Sequence, residues 1–346
     1  MVHSPLRPRR RFSSGAGVMT WHFAAGWAVA FGLAVCAQCA AAEALDEPIL
    51  PLPLMMQLDP SRVALGEKLF NDPRLAHNNA LACASCHQIE QGGADGLPRS
   101  ITNSGEADVT NAPTIFNRAF NFRQTWRGAF RTLEEQAEAD LMNPSHAATT
   151  WNELLPKLGA DASYAASFMR LYGAVRKEYV LDAIATYERS LITPNAPFDR
   201  YLRGDATAIN AEQKRGYALF KNYGCISCHQ GINVGGNLFQ KFGLFEDYFK
   251  LRGSPLTLAD LGRFNVTHDE RDRHVFRVPS LRNVAVTAPY FHDGSVDRLD
   301  LAVGIMARVQ LGRRPPEDDV QAIVSFLISL TGEYQGRPLA PPQAAP

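Results

Sequence analysis

The spacing of cysteine and histidine constrains this chain more than any other feature. Cys83-Ala-Ser-Cys86-His87 and Cys225-Ile-Ser-Cys228-His229 each read C-x-x-C-H, the attachment signature of a c-type haem. On one turn of helix, positions i, i+3 and i+4 share a face, so two thiols and one imidazole point the same way. Both thiols can then bond the porphyrin edge while the histidine Nε2 reaches the iron. A redox dithiol or half a zinc site needs only the C-x-x-C pair, with no histidine directly after it. The motifs begin at Cys83 and Cys225, well separated in a chain of 346 residues. That is long enough for two domains with separate cores, and points to one haem in each.

Composition narrows the class. At 46% hydrophobic and 20% charged, the chain reads as a soluble globular protein. Its 35 basic and 35 acidic residues cancel, and no basic run in the body suggests nucleic acid. The N-terminus is different. Arg7, Arg9, Arg10 and Arg11 precede a charge-free stretch from Val18 to Ala42 that ends in small residues. This is the pattern of a secretory signal peptide over 1–42 and implies a periplasmic destination, although its length also admits an uncleaved membrane anchor. Removing it takes away four arginines and no acids, so the formal charge falls from zero to −4. Cys36 and Cys39 lie inside this segment. Every remaining cysteine is thereby assigned to haem, and no disulfide framework is left.

From Pro60 onward the pattern is mainly α-helical with long irregular loops and minimal β structure. Helices are expected over Ser61–Phe70, Leu133–Leu141, Trp151–Leu158, Tyr164–Tyr172, Glu178–Leu191 and Asp318–Leu330. Pro194-Asn-Ala-Pro197 marks a linker, and residues 231–286 read as loop. An internal near-repeat stands out. Asn210-Ala-Glu-Gln-Lys-Arg-Gly-Tyr-Ala-Leu-Phe220 precedes the second motif as Leu65-Gly-Glu-Lys-Leu-Phe70 precedes the first, so two cytochrome c-like domains are expected.

The chain resembles the bacterial diheme cytochrome c peroxidases, which are related to the diheme enzyme that matures the tryptophylquinone of methylamine dehydrogenase. Besides both haem motifs, the likeness rests on Gly92-Gly-Ala-Asp-Gly96, Asn111-Ala-Pro-Thr114 and Leu191-Ile-Thr-Pro-Asn-Ala-Pro-Phe198. It continues through Val275-Phe-Arg-Val-Pro-Ser-Leu-Arg-Asn283 and Thr287-Ala-Pro-Tyr-Phe-His292. It implies a peroxidatic haem domain over 60–197 and an electron-transfer haem domain over 198–317. A terminal helix over 318–334 packs back on them, and a disordered tail fills 335–346. Two covalent haem c groups are implied, with His87 and His229 as proximal ligands and Cys83, Cys86, Cys225 and Cys228 as attachment points.

The same resemblance makes Met306, downstream of the Thr287–His292 string, the second ligand of the second haem, where a thioether raises the potential. The quinone-maturing relatives place a tyrosine there. Trp126, in Gln124-Thr-Trp-Arg-Gly128, matches the tryptophan between the haems, although Arg127 stands where the family has aspartate. Arg277 matches an arginine near the haem carboxylates. A calcium ion bound between the domains would use Asn111, Thr287 and Pro289.

Two departures concern the peroxide pocket. Asn103 stands where the family has a histidine ligand for the first haem, so an oxidised resting state blocked by that ligand is not expected. Gln136 matches a pocket residue, but further along, His146 replaces the family's glutamate. An imidazole with a pKa near 6.5 could serve as acid and base there. It could also ligate the iron or sit outside the pocket. Neither His268 nor His274 is expected to be more than solvated. The function implied is reduction of hydrogen peroxide with electrons from a small periplasmic cytochrome c or cupredoxin, with a homodimer left open. The rival readings are oxidation of a partner protein's side chains and pure electron transfer.

Overall fold

Asp59 begins the ordered helical body: its side chain accepts the Ser61 N–H at 2.8 Å, and Pro60 occupies the first helical position. The computed structural model describes residues 47–340. The expected signal segment, and the tail beyond residue 340, lie outside the described residues. The chain is mostly helical. The helices of the first half are α1 (Pro60–Phe70), α2 (Cys83–Cys86), α3 (Leu133–Met142), α4 (Trp151–Ala160), α5 (Ala162–Tyr172) and α6 (Lys177–Ser190). The second half has α7 (Pro197–Leu202), α8 (Ala211–Tyr223), α9 (Tyr248–Arg252), α10 (Phe264–Thr267), α11 (Leu299–Leu311) and α12 (Glu317–Ile328). Among the described residues no helix is long and apolar enough to cross a membrane.

Local chemistry sets the ends of these helices. Asn210 and Gln213 close a capping box at the start of α8, each side chain taking the other's backbone N–H at 2.9 Å. Gly224 ends α8 at φ +96°, a conformation costly for any residue with a Cβ. It also turns the chain directly into Cys225.

Two helix crossings organise the body, and they are alike. Gly66 of α1 lies against α6, where an added Cβ would sit 1.9 Å from the Ala183 carbonyl oxygen. Gly216 of α8 lies against α12, where the same atom would sit 1.9 Å from the Ala322 oxygen. One turn on, Phe70 meets Tyr187 with ring centroids 5.2 Å apart, and Phe220 meets Phe326 at 5.1 Å. The likeness extends into the loops. Asn117 and Asn283 each take a left-handed conformation, at φ +59° and +62°, before a 3₁₀ turn. Separate apolar cores surround the crossings. Leu69, Leu154, Phe168 and Ile184 belong to the first, and Phe198, Phe220, Ile323 and Phe326 to the second.

Chain ends cross over between the cores. The 48–52 segment lies on the second half, where the Gly231 N–H donates to the Pro48 carbonyl at 2.8 Å and Arg282 donates to the Leu50 carbonyl at 2.8 Å. At the other end, β3 (Glu333–Tyr334) pairs antiparallel with β4 (Arg337–Pro338), and Tyr334 packs on Phe116 of the first half at 5.1 Å. Disorder expected from residue 335 therefore does not hold for 335–340, because strand pairing and the packing of Leu339 tie this stretch down. The expected 231–286 loop also contains α9, α10 and two strands, β1 (Phe239–Lys241) and β2 (Val275–Arg277), in the register Phe239↔Arg277. Elements this short cannot show a hydrophobic period.

Two candidate haem sites

Both C-x-x-C-H strings form tight turns with the same closure. The His87 N–H donates to the Cys83 carbonyl at 3.0 Å and the His229 N–H to the Cys225 carbonyl at 3.0 Å. The first motif is the helical turn α2. The second departs from the expected helix turn and is 3₁₀ over Cys225–Ser227, because Gly224 reverses the chain just before it. All four thiols are free. Burial pushes Cys83 up to about 12 and Cys225 up to about 11, so these two thiols stay protonated unless they react.

The second site is a walled cleft enclosing about 1780 Å³ of empty space, part of it open to solvent. Its walls bring together Cys225, Cys228, His229, Trp126, Arg277 and Met306, which come from both halves of the sequence. His229 Nδ1 lies 3.3 Å from the Val234 carbonyl. As donor to that oxygen, Nδ1 leaves Nε2 as the ligand atom. Burial pulls the ring down to about 4, so it is neutral near pH 7. Gly235 admits this approach: a Cβ there would lie 3.2 Å from the His229 Nδ1 and 2.2 Å from the Pro279 oxygen.

Arg277 supplies the fit test for a cofactor with carboxylates. It is buried, and its hydrogen bonds go to neutral oxygens of Thr125 (3.1 Å), Asn121 (3.3 Å) and Val278 (3.4 Å). Among the described residues it forms no ion pair, and burial lowers it to about 10. A guanidinium in an apolar cleft without an anion is costly. Two thiols, a tautomer-fixed imidazole, a thioether and this unpaired cation fit a covalent haem c.

Trp126 is held from two sides. Its indole N–H donates to the Asn111 carbonyl at 2.9 Å, and its own carbonyl accepts the Arg277 N–H at 2.9 Å. Asn111, Thr287 and Pro289 line the same cleft. His292 is there too, buried, with Nε2 2.7 Å from Asp260 Oδ1. His274 is not solvated as expected: it stacks on Phe249 at 4.2 Å, and its Nδ1 lies 2.7 Å from the Asp260 carbonyl.

The first site gathers Cys83, Cys86 and His87 with a polar row. His87 Nδ1 lies 3.3 Å from the Gly93 carbonyl, and burial, aided by the Arg118 charge, lowers it to about 4. Gln136 is buried on α3; it accepts a hydrogen bond from Arg118 and donates one to Asp140. His146 does not face the site as a free base. Its Nδ1 lies 3.3 Å from Asp140 and its Nε2 3.2 Å from Asp108. The hydrogen bonds to these carboxylates, Asp108 first, raise it to about 10. An imidazolium at neutral pH has no lone pair to accept a proton, so this pairing weighs against the expected base role. Asn103 sits beside this arrangement, its backbone N–H donating to the Ser145 carbonyl at 2.9 Å. Arg118, Asp108 and Asp140 escaped the sequence reading because no motif marks them. They became visible only when loops 101–108 and 143–149 met.

Comparison with known proteins places the chain in a family. Residues 60–207 match the family model of the di-haem cytochrome c peroxidases. The cytochrome c551 peroxidase of Nitrosomonas europaea is 39% identical over 304 residues, covering 86% of this chain and 89% of that protein. The chain belongs to the di-haem cytochrome c peroxidase family. This makes it an oxidoreductase of the cytochrome c peroxidase class. The cytochrome c peroxidase Ccp of Escherichia coli is 45% identical over 85% of this chain, which spans 63% of that longer relative. Among solved structures, a MauG-like protein associated with microbial copper homeostasis aligns with a TM-score of 0.69 at 26% identity, covering 85% of this chain and 95% of that one.

Proposed function

We propose that this chain is a periplasmic diheme peroxidase. It reduces hydrogen peroxide to water at the His87 site with electrons that enter at the His229 site from a small cytochrome c or cupredoxin. The observation that carries this reading is the shared cleft, in which Met306, His229 and Trp126 stand together and Trp126 is hydrogen-bonded to Asn111. Covalent haem c, held by the two thiol pairs, would supply the redox chemistry at both sites. The two apolar cores and matching helix crossings support one haem domain on each side of the 194–197 linker.

The chain's own residues divide the work. His87 and His229, neutral and tautomer-fixed, would offer Nε2 to a haem iron. Met306, on the wall of the same cleft as His229, would offer a thioether to that haem. Arg277 offsets the carboxylates that a haem would bring into its cleft. Trp126 gives a polarisable ring for electron passage between the sites, held by its two backbone contacts. Gln136 is fixed by Arg118 and Asp140, so its amide is oriented before substrate arrives. His146 acts as a fixed cation that positions Asp140. The carbonyls of Asn111, Thr287 and Pro289, which line the same cleft, would hold a calcium ion.

Stopped-flow mixing of the oxidised holoprotein with peroxide, with and without a reduced small cytochrome c, tests the reading. Two donor molecules should be oxidised per peroxide consumed, and the donor should react first at the His229 haem. Peroxide consumption without donor oxidation would refute it.

A further inference from the structure

The two halves repeat each other closely enough to be laid side by side. Gly66, Phe70, Ala183 and Tyr187 take the places of Gly216, Phe220, Ala322 and Phe326. In that register Ile184 answers to Ile323 and Glu188 to Leu327. Ile323 and Leu327 both line the cleft that holds Cys225, Cys228 and His229. The stripe that faces the cofactor site is therefore apolar in the second half and carries a carboxyl in the first.

Glu188 is only 4% exposed. Its Oε1 lies 3.7 Å from Arg118 Nη1, and its Oε2 is buried with no hydrogen-bond partner. An incompletely satisfied buried carboxyl is destabilising, and leucine at the matching place shows that the helix crossing does not require it. Glu188 also lies near Cys83, whose ionisation it opposes.

We propose that Glu188 stores and delivers a proton for peroxide reduction at the His87 site, an inference that rests on the peroxidase reading above. The reaction breaks the O–O bond of hydrogen peroxide, takes two electrons from the donor and two protons from solvent, and releases both oxygens as water. Glu188 gives one of those protons as the bond breaks and regains it from solvent. The polar row marks the way in. Arg118 bridges Glu188 and Gln136, Gln136 donates to Asp140, and Asp140 meets the partly exposed His146, which also contacts Asp108. Arg118 holds the carboxyl and amide in place, and water along the row carries the proton. The second half passes electrons alone, which accounts for leucine there.

The groups facing Glu188 are Arg118 from the 3₁₀ turn at 118–120, Glu134 and Asp140 from α3, Cys83 from α2, and Arg189 on its own helix. Burial raises the carboxyl and Arg118 opposes it, leaving it at about 7. It is therefore protonated below neutral pH and loses its proton above.

Wild-type holoenzyme is compared with Glu188→Gln and with Glu188→Leu, the repeat's own residue. Haem content and absorption spectra report whether each variant is intact. Infrared spectra of the wild type should show a protonated-carboxyl band below about pH 6 that vanishes above about pH 8, and both variants should lack it. The wild-type peroxide rate should fall as pH rises through about 7. Both variants should lose that step and run roughly 10²-fold slower at low pH. An unchanged pH profile in Glu188→Gln, or a wild type without the titrating band, overturns the proposal while peroxidase activity stands. If neither variant takes up haem, the wild-type band alone decides. A wild type that does not reduce peroxide overturns the underlying reading instead.

Discussion

His146 lies between Asp108 and Asp140, and a ring so placed keeps its proton through the neutral range. Its folded pKa of about 10 stands above the ordinary value of about 6.5. The stabilisation it gives is therefore fully present below about pH 6.5 and is lost as pH rises through about 10. Loop 101–108 should resist proteolysis and amide exchange up to about pH 9 and loosen above that. In His146→Ala it should be loose at every pH. Equal protection in both proteins would show that the clamp is idle. Asn103 bears on activation. With no histidine at that position, the oxidised holoenzyme should react with peroxide without prior half-reduction. Low-temperature EPR showing only bis-ligated low-spin iron at the first haem would contradict this. Met306 faces the same cleft as His229. Replacing it with histidine should lower the potential of the second haem markedly, since a stronger donor favours ferric iron. A redox titration in which neither haem moves would remove Met306 from the coordination sphere.

At the scale of elements, the α1/α6 and α8/α12 crossings depend on the absence of one atom in each pair. A methyl at Gly66 or Gly216 would drive into a backbone carbonyl, which no side-chain rotation relieves. Gly66→Ala and Gly216→Ala should each destabilise the protein by roughly 1–3 kcal/mol or more, as overpacking does. Gly159, in α4, gives the contrast. Nothing lies within 4 Å of a Cβ built there. Gly159→Ala should be neutral or stabilising by up to about 1 kcal/mol, because alanine loses less backbone entropy in a helix. Urea denaturation of the three variants would rank them, and equal midpoints would refute the crossing argument.

Across the whole molecule, the exchanged chain ends and a buried polar junction tie the halves together. Thr193 receives hydrogen bonds from Asn117 at 2.7 Å and Asn283 at 3.0 Å, both from left-handed positions in the repeated loops. A second buried network centres on Asp260. Burial alone would raise its carboxyl, but hydrogen bonds from His292, Arg252 and Thr257 outweigh burial and hold it far below the usual range. A depressed pKa gives stability that is present above the unfolded value of about 3.9 and lost as pH falls below it. Thermal denaturation should show a steep loss of stability below about pH 4. Asp260→Asn should flatten that slope while lowering stability at pH 7. An identical acid slope in the variant would place the acid-sensitive groups elsewhere.

Covalent chemistry and local hydrogen bonding were legible in the sequence. C-x-x-C-H spacing designates six groups whatever surrounds them, and the long helices follow from apolar periods and caps that act within a few residues. The repeat Leu65–Phe70 against Asn210–Phe220 announced two similar units for the same reason. The behaviour of His146 was decided elsewhere. Its protonation depends on Asp108, which is remote in sequence and near in space, and electrostatic effects follow distance in space. Glu188 likewise reads as one more charge on an amphipathic helix until the crossing at Gly66 and Ala183 turns its face inward. The short strands and the 335–340 hairpin came from tertiary structure alone, and so did the meeting in one cleft of Trp126, His229, Arg277 and Met306, which only the family resemblance had linked. Each is too short to carry a local period or is held by contacts between segments far apart in the chain, so no stretch of sequence announces it.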